Sequence, residues 1–171
     1  MAKKVAVLMT DMVEDSEFTT PKDTIVEAGY EVDVISPDGK DVTGKNGGNF
    51  EAQASVADAN PENYDALLVP GGFSPDILRG DAEDRPAKFA SHFLETDKPV
   101  FSICHGPQFL IDTGLLKGRN LTSVKNVKTD LINAGADWED KSVIVDKNLI
   151  TSRTPDDLDD FNREIIKQLE A

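Results

Sequence analysis

The sequence predicts an α/β fold, a mostly parallel sheet with helices on both faces. Three observations predict it. Short runs rich in Val, Ile and Leu alternate with segments of helical spacing. Those runs are apolar at nearly every position, as strands buried on both faces require. And the stretch "PVFSICHGPQFLI", Pro99–Ile111, sets the chain's only cysteine where such a run gives way to a helix. The 171 residues fit one domain, 1–171, with no internal repeat, low-complexity tract or linker composition.

The elements follow in order. "KKVAVLMT" (Lys3–Thr10) reads as a buried strand. Glu17–Tyr30 reads as a helix, with Pro21 early and Gly29 as its stop. Glu31–Pro37 is the next strand. Residues Asp38–Asn60 are polar and Gly-rich ("GKNGGN") with a small hairpin signal, an excursion from the sheet edge. "DALLVPGG" (Asp65–Gly72) is a third strand ending in a turn, and Arg85–Glu95 suits a helix. Pro99–Cys104 is a fourth strand, followed by a helix to about Thr113. Asn120–Ser123 reads as a short fifth strand and Lys128–Ala134 as a helix. Ser142–Ser152 has the pattern of a hairpin around Lys147-Asn148. A last helix opens with Thr154 as N-cap and Pro155 at its first position.

Charge narrows the function classes. There are 18 basic and 32 acidic residues, a net of −14. Such a surface repels nucleic-acid phosphates and anionic membranes, so neither is expected as a main partner. A single cysteine cannot form an internal disulfide, which fits a reducing compartment. The apolar run Val5–Met9 is too short for a secretory signal, and no run approaches a membrane span. A cytoplasmic protein is expected.

Three segments that carry chemistry fall at strand carboxyl ends, where open parallel sheets build their sites. Cys104 ends one strand, Gly71-Gly72 end another, and Glu14, Asp15 and Glu17 follow the first. A strand–Cys–helix junction has the geometry of a nucleophile elbow. A helix N-terminus favours thiolate, so Cys104 is expected to ionise well below the roughly 8.5 of a free thiol. The N–H groups of His105 and Gly72, with Gly71 beside them, can form an oxyanion hole. His105 can act as base and proton carrier. Glu17, desolvated beside a negative sulfur, is expected to stay protonated and donate to it. Glu14 and Asp15 are expected to cap the helix and meet its positive end. His92, in a charged helix, is expected at the surface. The plainer readings are a cysteine packed as a small hydrophobe and a Glu17 that only caps a helix.

Together these residues resemble the PfpI family, within the superfamily that holds the human Parkinson-disease-associated deglycase and the class I glutamine amidotransferases. The resemblance spans the whole chain through "EDSEF", "VPGGFSPDILRGD", "SICHGPQFLI", "NAGADWED" and "TSRTPDDL", in that order. It is similar above all to small bacterial general-stress proteins of that family. The resemblance implies a flavodoxin-like three-layer sandwich and homodimers, sometimes hexamers. It also implies Cys104 as nucleophile, His105 beside it, a protonated Glu17, and Asp76 as the acid that orients the histidine across a subunit boundary. Asp76 stands where archaeal protease-like members carry a glutamate, one methylene longer. The deglycase has alanine after its cysteine and a histidine near the position of Val124, so this chain's chemistry should be that of the Cys-His members.

Three functions follow as expectations. The first is a glyoxalase or deglycase, acting on glyoxal, methylglyoxal and their amine adducts with no cofactor and no metal. The second is a peptidase using Cys104, His105 and Asp76. The third is a redox sensor or chaperone-like stress protein, in which the lone thiol oxidises to sulfenic and then sulfinic acid with no second cysteine to resolve it. A glutamine amidotransferase needs a histidine late in the chain, and none follows His105.

Overall fold

Alternate residues of each central strand go to opposite faces, and two cores result. Val5 and Val7 join Ala66, Leu68, Phe101, Ile103 and Ile150 on one face. Ala6 and Leu8 join Leu67, Val69, Val100 and Leu149 on the other. The computed structural model describes residues 3–171. Its elements in order are β1 (Lys4–Leu8), α1 (Asp15–Glu27), β2 (Glu31–Ser36), β3 (Val42–Thr43), β4 (Asn49–Phe50), β5 (Ala54–Ser55), β6 (Ala66–Val69), α2 (Ser74–Arg79), α3 (Arg85–Glu95), β7 (Val100–Ile103), α4 (Gly106–Leu110), β8 (Asn120–Leu121), α5 (Lys128–Asn133), β9 (Asp137–Trp138), β10 (Val143–Asp146), β11 (Leu149–Ser152) and α6 (Leu158–Glu170).

The central sheet runs β10-β11-β7-β6-β1-β2-β5, parallel except for β10. This is the flavodoxin-like three-layer sandwich that was expected. Phe18 and Ile25 of α1 and Phe161, Ile165 and Leu169 of α6 cover one face. Leu78 of α2, Phe89 and Phe93 of α3 and Phe109 of α4 cover the other. The chain steps from β1 to β2 on one side and then returns to place β6 on β1's other side. The loops leaving β1 and β6 therefore diverge, and a crevice opens at their carboxyl ends.

Local chemistry explains most boundaries. Helix α1 ends in a Schellman motif: Tyr30 N–H donates to Ile25 O, Gly29 N–H to Val26 O, and Gly29 takes φ +93°. The hairpin β10–β11 turns at Lys147, φ +54°. The Gly-rich excursion contains the hairpin β3–β4 and then adds β5 to the sheet edge, parallel to β2.

Four expectations need correction. β8 lies outside the central sheet and pairs with β9 in a two-stranded ribbon; the place beside β7 is filled by β11, whose four residues are all buried. The segment around Asp76, given no element of its own above, forms the helix α2. Thr154 makes no side-chain cap; a 3-10 turn at Pro155–Asp157 leads into α6 instead, and the Asp157 carboxylate grips Arg153. His92 is half-buried, its ring edge-on to Phe93. No helix among the described residues is long and apolar enough to cross a membrane.

Candidate active site

The turn from β7 into α4 is made by Cys104 itself, with φ +63°. An L-residue in that region costs roughly 1–2 kcal/mol. The surroundings hold it there. The Cys104 N–H donates to Ser152 O at 3.1 Å, and the Cys104 carbonyl accepts the Val124 N–H at 3.1 Å. Two residues on, a Cβ at Gly106 would stand 2.5 Å from the Val69 carbonyl and collide with Ser102 Oγ. Glycine is thus what lets the elbow press onto β6. Val124 itself packs against the core, so its position serves structure here.

The side chain of Cys104 enters a cavity of about 320 Å³. Glu14, Glu17, Lys45, Gly72, Phe73, His105 and Pro155 line it as well. The loops after β1, β6 and β7 therefore converge, as the sequence spacing implied. His105 Nδ1 is 3.5 Å from Cys104 Sγ. The His105 backbone N–H also favours the charged sulfur. The histidine's pKa is lowered, first by burial and then by the Lys45 charge, so the imidazole is held neutral.

Glu17 is fully buried beneath the thiol. Gly71 N–H donates to its Oε1 at 2.9 Å. Its Oε2 is buried without a well-formed hydrogen bond, and the Cys104 thiol is the side chain that bears on it. Burial pushes the carboxyl's pKa up to about 8, and the nearby Glu14 charge adds to this. With its pKa so raised, the Glu17 carboxyl holds its proton at neutral pH. Gly71 makes the approach possible: a Cβ there would lie 2.5 Å from Glu17 Oε1 and 3.0 Å from Cys104 Cβ. Because the Gly71 N–H is committed to Glu17, it is not an oxyanion donor; Gly72 and His105 are the two expected donors that line the cavity.

The thiol itself departs from expectation. Burial, followed by the Glu17 charge, pushes Cys104 up to about 12. Two features add to the burial that is the main cause. Helix α4 has only five residues, too few to build a strong N-terminal field. And the carboxyl beside the sulfur competes with it for negative charge, so the two groups titrate as a pair. Below about pH 8 the carboxyl is neutral, and the charge that would hold the thiol up is absent.

The acids that follow β1 also differ from the caps that were expected. Glu14 occupies the N-cap position of α1 but makes no capping bond; it pairs with Lys45 Nζ at 2.9 Å. Asp15 accepts the N–H groups of Asn46 at 3.0 Å and Gly48 at 2.8 Å. It thereby folds the β3–β4 loop down onto the start of α1. Lys45 is the cavity residue that sequence reasoning missed. The signal for it was a lone cation inside the Gly-rich "GKNGG" turn. Asp76 sits on the exposed side of α2 and does not line the cavity of its own chain. Among the described residues no carboxylate hydrogen-bonds His105. No cluster with metal-ligand character occurs among them either.

A family model described as the DJ-1/PfpI family matches residues 3–168. An uncharacterized protein of Staphylococcus haemolyticus is 59% identical over the whole of both chains. One from Staphylococcus aureus is 55% identical, covering 99% of this chain and 100% of its own. Among solved structures, a two-domain protein of Anabaena variabilis with DJ-1/ThiJ/PfpI-like and ferritin-like domains superposes with a TM-score of 0.94 at 38% identity. That match covers 98% of this chain and 48% of the other. Drosophila melanogaster DJ-1beta superposes with a TM-score of 0.90 at 26% identity, covering 99% and 91%. With its elbow cysteine and buried carboxyl on a flavodoxin-like sheet, the chain belongs to the DJ-1/PfpI family.

Proposed function

We propose that this protein is a stress-related enzyme that converts glyoxal or methylglyoxal, free or as amine adducts, to hydroxy acids through Cys104. The observation that carries this reading is the elbow geometry. One thiol, one neutral imidazole 3.5 Å away and one buried protonated carboxyl share a small cavity. Sulfur adds to the aldehyde carbon while His105 takes the thiol proton, so no standing thiolate is required. The product is a hemithioacetal, its oxygen placed for the N–H groups of Gly72 and His105. Moving the C1 proton to C2 through an enediol gives a thioester of the 2-hydroxy acid. Water then cleaves the C–S bond, releasing the acid and restoring the thiol. Atoms balance as dicarbonyl plus water giving hydroxy acid, with no outside oxidant.

On this reading the protein works as a homodimer, and the partner subunit's Asp76 orients His105. What supports this is placement. Met12, Phe73 and Ile77 are large apolar residues 42%, 58% and 47% exposed beside Asp76, at the same sheet end as the thiol. The test is turnover of methylglyoxal by the wild type and Cys104→Ala, with lactate as the product measured. Equal rates in the two would overturn the proposal.

One observation favours a second reading, a peroxide sensor. The unpaired Glu17 Oε2 can donate a proton to an oxidised sulfur. Two peroxides would take the thiol to a sulfinic acid with release of two waters. A mass gain of two oxygens on Cys104 under mild peroxide, without any dicarbonyl turnover, would favour the sensor over the enzyme.

A further inference from the structure

The excursion between β2 and β6 has one evident product, the placement of Lys45. Its backbone N–H donates to Val13 O at 2.9 Å, and Gly44 N–H donates to Gly48 O at 2.8 Å. The turn closes around the Asp15 carboxylate. A Cβ on Gly44 or Gly48 would collide with that carboxylate, so both must be glycine for the loop to wrap it. This is a fitted clasp, and what it delivers to the cavity is an ammonium. Lys45 Nζ lies between Glu14 and the Phe73 ring, whose centroid is 6.0 Å away.

Among the described residues Lys45 is the one cation lining the cavity. The groups facing it are Glu14, Glu17, Cys104 and His105. Glu17 and His105 are neutral near pH 7, so among the described residues Glu14 is its only charged neighbour in the cavity. The Glu14 pair is partly exposed, with the Lys45 side chain 37% accessible, so it exchanges readily for another anion. A chain of net charge −14 repels small anions at long range. A tethered cation beside the nucleophile reverses that bias locally.

We propose that Lys45 makes this pocket selective for small carbonyl compounds that carry a carboxylate. This rests on the reading of Cys104 as the nucleophile. The ammonium leaves Glu14 for the ligand's carboxylate and holds the carbonyl carbon over the sulfur. Glyoxylate is the smallest member of the class: its aldehyde can take the sulfur, and with no carbonyl beside it the hemithioacetal goes no further, so it occupies the site as an inhibitor.

The test uses two alkylating probes of similar size, anionic iodoacetate and neutral iodoacetamide. Their rate ratio at Cys104 reports the local cation independently of any turnover. The wild-type ratio should exceed that of a free thiol. Lys45→Met should lower it about fivefold, the size of one close ion pair in a hydrated site. Lys45→Arg should restore it, and Glu14→Gln should raise it by freeing the ammonium. A ratio in Lys45→Met within twofold of wild type, in protein of unchanged circular dichroism, overturns the proposal. In parallel, inhibition of methylglyoxal turnover by glyoxylate, which can form the hemithioacetal but has no second carbonyl to carry the reaction on, should weaken about fivefold in Lys45→Met. If methylglyoxal does not turn over while the probe ratio behaves as expected, the enzyme reading fails and the anion site stands. If turnover is intact and the ratio does not move, the anion site alone fails.

Discussion

Replacing Glu17 by glutamine separates charge from hydrogen bonding at the thiol. The place a Cβ on Gly71 would occupy is 2.5 Å from Glu17 Oε1 and 3.0 Å from Cys104 Cβ. The Glu17 and Cys104 side chains interact directly; for two charges separated by about 5 Å at an effective dielectric of about 20, an ionised carboxyl opposes a thiolate by about 3 kcal/mol, or roughly two pH units. Glutamine cannot ionise yet keeps an N–H donor in the same space. The midpoint for Cys104 alkylation should therefore drop from about 12 in the wild type by roughly two units in Glu17→Gln. Glu17→Ala loses charge and donor together, so its midpoint should lie above that of the glutamine variant by about 1 kcal/mol, under one pH unit. The assay is the rate of iodoacetamide modification, followed by intact mass, from pH 5 to the alkaline limit of the fold. A glutamine midpoint equal to or above the wild-type value would refute the coupling between the two groups.

Three further expectations follow from the geometry. Folded Glu17 keeps its proton up to about 8, against 4.5 for the free group; its contribution to stability is complete below 4.5 and is lost as pH rises toward 8, a loss on the order of 5 kcal/mol. Urea midpoints should thus fall between pH 5 and 8 in the wild type more steeply than in Glu17→Gln, and parallel slopes would sink the assignment. Gly106→Ala should destabilise by about 1–3 kcal/mol, because the new methyl meets the Val69 carbonyl and Ser102; thermal unfolding reads this, and an unchanged Tm would mean the elbow is looser than described. Mixing Asp76→Ala with Cys104→Ala should recover part of the methylglyoxal turnover through hybrid dimers, and no recovery after verified subunit exchange would confine the site to one chain.

Much of the fold was readable because it is written in local patterns. Apolar runs announced β1 and β6, a run broken only by Ser102 announced β7, the alternating Val32, Val34 and Ile35 announced β2, and α3 was placed at Arg85–Glu95 by its spacing. β8 was misplaced because "NLTS" looks the same whether it joins a large sheet or a small ribbon; which neighbour is free is a tertiary matter. In the site, Cys104, His105, Gly72 and Glu17 were legible as residues at strand ends. The ionisation of the thiol was not, since burial and a carboxyl from another element set it. Lys45 was hidden for a similar reason. Its ally Asp15 lies 30 positions earlier in the chain, and the two meet only when the β3–β4 loop folds back.

The left-handed backbone at Cys104 has a consequence for how this position tolerates change. The conformation suits glycine best, and glycine abolishes the thiol. Stability and chemistry therefore pull in opposite directions at a single codon. A lineage released from the need for the nucleophile would gain fold stability by drifting to glycine. Serine or alanine, though closer in size to cysteine, would carry the same backbone strain with no compensating reactivity. Comparison of the two dead variants, glycine and alanine, would measure the strain that the thiol's presentation imposes on the rest of the protein.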